Sequence, residues 1–241
     1  MSGCSIYTMT KKPGDDTLSI KVWDLPTRIF HWSLVVLALL AWITSEADGA
    51  LFRTHLWTGY GVMGLIVFRL IWGFIGTRHP RFSKFIHPWP VVRKHLRDLL
   101  SQSPAPSLGH TPAGGWMIAA LLAMMVALVA TGLFAGDDGE SGPLVHWVAP
   151  WLADGLGELH EALNSFLWTL VLFHVGTVFI VSHLTRDNLI AAMRTGRKAN
   201  PERFHKPDDT PGHPADIHPA GWLCTITAVL ATFTVIWMVA G

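Results

Sequence analysis

Residues 159–176 read LHEALNSFLWTLVLFHVG, a run without Lys or Arg, with one acid, Glu161, and with an imidazole near each end. A hydrocarbon core of about 30 Å takes roughly 20 helical residues to cross, so this run predicts most of a membrane span. Between His160 and His174 the chain advances about 21 Å at 1.5 Å per residue, and turns so that the two lie only about 40° apart around the axis. One apolar helix thus keeps two histidines on one face, at two depths.

Four further apolar blocks frame it. With the quoted run extended to 158–182, the predicted spans are 29–46, 55–76, 116–134, 158–182 and 221–240. Half of the 241 residues are hydrophobic, 15% are charged, and the apolar residues are gathered into these blocks, a membrane-protein composition. Asp24 and Pro26 offer a helix start that lengthens the first block toward water. The stretches SQSPAPSLGHTPAGG, GDDGESGP and KPDDTPGHPADIHPAG are connecting loops. The two cysteines, Cys4 and Cys224, form neither a CxxCH haem-attachment motif nor a zinc pattern. The polar first 28 residues predict no cleavable signal peptide. The expected class is all-α: a transmembrane bundle of four core helices plus a fifth C-terminal one. The chain divides into a tail (1–28), a core (29–198), a linker (199–220) and a last helix (221–241).

Sixteen of the eighteen Lys and Arg residues fall in the tail, between blocks two and three, or between blocks four and five. The positive-inside bias then places the N-terminus in the cytoplasm and the C-terminus outside. The opposite loops carry Glu46, Asp48, Asp137, Asp138, Glu140, Asp154 and Glu158 against Arg53, so the outer face is acidic. With both cysteines at or near the cytoplasmic side, no disulfide is expected.

Topology sorts four histidines by height: His55 with His160 toward the outside, His31 with His174 toward the cytoplasm. Taken singly, a histidine near the end of a membrane helix is most often solvated or interfacial. Two depth-matched pairs call for a joint explanation, and facing imidazoles from different helices are what a six-coordinate haem iron takes. Gly59, Gly61 and Gly64 on the second helix would let a flat macrocycle approach, although glycines in spans also serve close helix packing. Arg69, inside block two at the depth of the inner pair, needs a partner or a route to water; a haem propionate is the expected partner. His79, His87, His95, His110, His205, His213 and His218 fall in or beside loops and read as solvated or interfacial, while His146 and His183 are uninformative.

The segments KVWDLPTRIFHW, HLWTGYGVMGLIVFRLIWGFIGTRHPRFSKF, LGHTPAGGWM, LHEALN with LFHV, and RDNLIAAMRTGRK resemble the bacterial di-haem cytochrome b561 family, over about residues 20 to 198. The likeness extends to the b-type cytochrome subunits of nickel-iron hydrogenases. The resemblance implies an inner-membrane bundle holding two non-covalent b haems, with ligands at His31, His55, His160 and His174. Members of this type usually stop after four helices, so the fifth is a departure, and it is given no role in electron transfer.

The chain shows no catalytic acid, nucleophile or hydride site and nothing that points to nucleic acid. The expected job is electron transfer between a membrane quinone and a redox partner, with a periplasmic c-type cytochrome suited to the acidic outer face. A second expectation keeps the haems in the membrane anchor of a hydrogenase or dehydrogenase complex. A third, a haem-free transporter using histidines along a pathway, lacks the broken helices and repeated halves common in transporters.

Overall fold

The structure, a computed structural model, describes residues 19–45, 49–77, 80–105, 107–136, 140–199 and 219–240. Cys4, His79, His205, His213, His218 and the loop acids Glu46, Asp48, Asp137 and Asp138 lie outside the described residues. In chain order the elements are β1 (Ser19–Lys21), α1 (Leu25–Ile43), α2 (Ala50–Ile75), α3 (Phe82–Phe85), α4 (Trp89–Leu100), α5 (Pro112–Phe134), a 3-10 turn (Val145–Trp147), α6 (Pro150–Thr185), α7 (Leu189–Thr195), β2 (Arg197–Ala199) and α8 (Pro219–Ala240). Among the described residues α1, α2, α5 and α6 are long and apolar enough to cross a membrane. The protein is an all-α multi-pass bundle.

The spans begin earlier than hydropathy alone marks them, and at α1 and α5 a polar cap with a proline starts the helix before the apolar run does. The Asp24 carboxylate accepts from the Thr27 N–H at 2.8 Å, and Pro26 stands in the first turn of α1. Thr111 caps α5 in the same way, through the Gly114 N–H at 3.0 Å, with Pro112 first in the helix. α6 starts at Pro150, well before the expected 158, and runs 36 residues, about 54 Å at 1.5 Å per residue. That exceeds a hydrocarbon core, so α6 projects beyond the bilayer.

α2 is the central helix: α1, α5 and α8 pack on it, and α6 packs on α5. Between helices surrounded by lipid no hydrophobic drive favours contact, and close fit through small residues replaces it. Two glycines expected to line a macrocycle do this instead. A Cβ on Gly61 would stand 2.8 Å from the Leu37 side chain of α1, and one on Gly64 would stand 2.7 Å from Ile236 and 2.9 Å from Thr232 of α8. The Thr232 hydroxyl also donates to the Gly64 carbonyl at 3.3 Å. Further along α2, Phe68 and Trp72 share a buried cluster with Phe30, Leu122 and Ala228, so α8 runs antiparallel to α2. The apolar side chains left open on α1 and α6, Val36, Phe173 and Phe179 among them, are those a lipid environment covers.

The two ends of the bundle differ in chemistry. At the basic end, β1 pairs antiparallel with β2, Ile20 opposite Lys198, so the last residues of the expected tail are structured. The Asp24 carboxylate there also accepts from the Trp72 indole N–H at 3.2 Å and from the Thr77 hydroxyl, locking the start of α1 to the end of α2. Buried Lys198 pairs with Asp187 at 2.7 Å. The short helices α3, α4 and α7 at this end fall where only loops were expected. The opposite, acidic end is closed by a Gly136–Ser141 bridge and by the Gly49 N–H donating to Glu140 at 2.9 Å.

Candidate functional site

α2 enters from the acidic end, which puts His55 one turn into it, and α6 brings His160 to the same height. Their ring centroids lie 6.3 Å apart, with the planes at 83°. Each ring is held from behind. His55 Nδ1 is 2.8 Å from the Ala41 carbonyl of α1, and His160 Nδ1 is 2.9 Å from the Leu128 carbonyl of α5 and 3.2 Å from the Thr131 hydroxyl. A carbonyl only accepts, so both Nδ1 atoms carry the proton and both Nε2 atoms keep a free lone pair. Second partners of this kind fix tautomer and ring angle in metal-ligating histidines.

At the basic end, His31 of α1 and His174 of α6 are both half-buried. His31 Nδ1 is buried without a hydrogen-bond partner, as is the indole Nε1 of Trp168 on α6. Trp168 packs at 5.0 Å against Trp42, across from α6 to α1.

The His55–His160 pair fits a macrocycle held between imidazoles. Bonds of about 2 Å from imidazole nitrogen to a first-row metal leave room within 6.3 Å for one ion between the His55 and His160 rings. In both pairs the helices bearing the histidines, α2 with α6 and α1 with α6, are not among the close-packed pairs of the described structure. Gly59, one turn after His55, faces open space, with nothing within 4 Å of a Cβ built on it. Among the described residues no three His, Cys, Asp or Glu side chains gather into a metal cluster.

Other expectations need correction. Arg69 does not snorkel: it is 3% exposed, its Nη2 donates to the Pro80 carbonyl at 3.1 Å, and its guanidinium lies 5.1 Å from the Phe82 ring centre and 5.7 Å from that of Phe85. The chain folds back over the end of α2 because Gly73 leaves room for Phe82, whose ring a Cβ there would strike. Nη1 of Arg69 keeps no partner. His95 is not solvated either: it is 7% exposed on the inward face of α4 with Val92. His110 packs between Trp23 at 4.5 Å and Phe85 at 4.7 Å. Sequence reading missed α5 altogether as part of the site. Gly132 touches the His160 ring, its would-be Cβ 2.7 Å from Cε1, and Thr131 and Leu128 hold Nδ1.

Comparison with known proteins gives a consistent picture. The family described as prokaryotic cytochrome b561 matches residues 22–196. A protein of Azotobacter vinelandii called "Probable Ni/Fe-hydrogenase B-type cytochrome subunit" is 25% identical over 216 residues, covering 74% of this chain and 88% of the relative. The "Probable Ni/Fe-hydrogenase 1 B-type cytochrome subunit" of Escherichia coli (strain K12) is 21% identical over 226 residues, covering 79% and 95%. A similarly titled protein of Bradyrhizobium diazoefficiens is 24% identical over 214 residues, covering 75% and 86%. No solved structure gives a significant match.

Proposed function

The chain belongs to the prokaryotic cytochrome b561 family, a membrane cytochrome b, and from that premise we propose that it carries two b haems and passes electrons across the inner membrane between a quinone and a redox partner. The observation that carries this reading is the His55–His160 pair: two imidazoles from helices that stand apart, each with Nδ1 tied to a carbonyl and Nε2 free.

Bound haem b supplies reversible one-electron chemistry at its iron, with a potential set by axial ligands, hydrogen bonds and burial. The chain's own residues provide the rest. His55 and His160 would hold one haem iron at the acidic end, and His31 and His174 would hold the other at the basic end. The Ala41 and Leu128 carbonyls orient the first two rings and raise their basicity. α6, one unbroken helix, fixes the separation of the two levels at about 21 Å along its axis. Gly59 leaves the wall beside His55 flat, and the unpaired Nη1 of Arg69 is the donor available to a propionate at the basic end. The basic end faces the cytoplasm by the positive-inside bias, and α8, crossing as a fifth helix, carries the C-terminus outside. Residues 29–198 then form the di-haem core.

The experiment is a pyridine haemochrome assay with a reduced-minus-oxidised spectrum on the purified chain. The expected result is two haem b per polypeptide, all extractable into acid acetone; a colourless protein would sink the reading.

For the outer partner, two classes stand. The acidic end, with Glu140, Asp154 and Glu158, suits a basic c-type cytochrome through complementary charge. The relatives' names favour the other class, and within it a hydrogenase subunit anchored by this chain. Copurification of a large catalytic subunit with the tagged chain from its native membrane selects the anchor. Oxidation of the reduced protein by a c-type cytochrome, slowed by salt, selects the carrier.

A further inference from the structure

We propose that α4 is an interfacial helix that recognises anionic phospholipid in the leaflet at the basic end, with Arg93 and Arg97 on the headgroups and Trp89, Leu96 and Leu100 among the acyl chains.

α4 lies on the bundle through one face only. Val92 and His95 are buried, with Leu99 beside them half-buried, and at 100° per residue these three fall within about 60° of one another. Immediately beside that face, within about 40°, come Trp89, Leu96 and Leu100, and they are exposed at 59%, 38% and 85%. A water-facing surface helix would place polar residues there. The next positions around the axis are Arg93 and then Arg97, both exposed, followed by Lys94 and Asp98 on the far side. Lys94 is spoken for by Asp98 at 2.9 Å, whereas Arg93 and Arg97 flank the apolar stripe with no acid between them.

Two tryptophans mark the height of the helix. Its first residue, Trp89, lies 6.5 Å from Trp116, and the Trp116 indole N–H donates to the His87 carbonyl at 2.9 Å. Trp116 stands in the second turn of the apolar helix α5, and tryptophans near the end of such a helix are the usual anchors of a membrane–water boundary. An apolar stripe at that height, edged by arginines, lies against acyl chains with its cations at phosphate level, because Arg stems are long enough to snorkel. Anionic lipid is the occupant that complements it, because basic side chains near a leaflet respond to its negative surface.

The test uses the full chain in nanodiscs of equal phosphatidylglycerol and phosphatidylcholine, with lipids retained after detergent extraction counted by native mass spectrometry. Phosphatidylglycerol is expected to be enriched. Each arginine near an anionic surface is worth about fivefold in partition, so Arg93→Gln with Arg97→Gln should cut the enrichment by up to about 25-fold, and Lys94→Gln should leave it nearly unchanged. A nitroxide on Leu100→Cys, in a background without Cys4 and Cys224, should be reached by oxygen and shielded from a water-soluble relaxant, and one on Lys94→Cys the reverse. Equal retention of both lipids in every variant overturns the proposal, as does a water-exposed label at 100, which would mean the stripe awaits a protein.

Discussion

His160 on α6 and Gly132 on α5 are in contact: the space that a Cβ on Gly132 would need lies 2.7 Å from the imidazole Cε1 and 3.0 Å from Nδ1. The ring facing His55 is therefore seated on a neighbouring helix that carries no ligand, while the Leu128 carbonyl one turn away fixes its proton. Gly132→Val should push the ring off its line. The haem proposed for the acidic end is expected to shift in potential or to be lost, with the one proposed for the basic end unchanged, as read by redox titration monitored in the visible band.

The pairing itself makes a sharper prediction. His55→Ala and His160→Ala should each lower the haem content from two to one and remove the same spectroscopic component, and His31→Ala and His174→Ala should remove the other. Loss of different components by His55→Ala and His160→Ala would overturn the pairing.

Asp24 joins three groups, the Thr27 N–H, the Trp72 indole and the Thr77 hydroxyl. Replacing it with Ala removes an N-cap, which costs about 0.5–2 kcal/mol, and leaves a buried indole N–H unpaired, which costs about 1–3 kcal/mol. The expected outcome is a lower thermal midpoint with the haem spectrum intact below it. Asp24→Asn, which keeps an oxygen acceptor, should recover part of the loss.

The heights of the four histidines were legible because helical rise and the Lys and Arg bias are local quantities, readable along the chain. What supports those histidines was not. The Ala41 and Leu128 carbonyls carry no side-chain signature, and Gly132 is one glycine in an uncharged block; their roles arise only when α1 and α5 pack beside α2 and α6. Gly61 and Gly64 misled for the same reason, since sequence does not say which helix a small residue faces. α4 was readable in principle: Pro88 and Pro90 open it, and Val92, His95 and Leu99 recur at helical spacing.

His95 makes stability depend on pH. Burial lowers its pKa below the ordinary imidazole value, Asp98 pulls the other way, and Lys94 adds to the lowering. The folded state therefore holds this proton less tightly than the unfolded chain, whose imidazole titrates near about 6.5. The contribution is fully present above that value and is lost as pH falls through the folded one. Thermal unfolding followed from pH 7.5 down to 5 should show a declining midpoint, and His95→Leu should flatten the decline.

α8 bears on α2 at Gly64, where Thr232 and Ile236 approach so closely that any Cβ would force them aside. Gly64→Leu should therefore lift α8 away along its length, since a right-sized gap is what holds two helices together in lipid. None of the proposed ligands lies on α8. The haem content and both spectral components should survive, while protease sensitivity of the chain after Ala199 rises and the thermal midpoint drops. Deleting the chain from Pro219 onward should give the same spectrum as Gly64→Leu. If the deletion instead removes the basic-end component, then α8 holds α2 in register for that site, acting through Ala228 against Phe68 and Trp72.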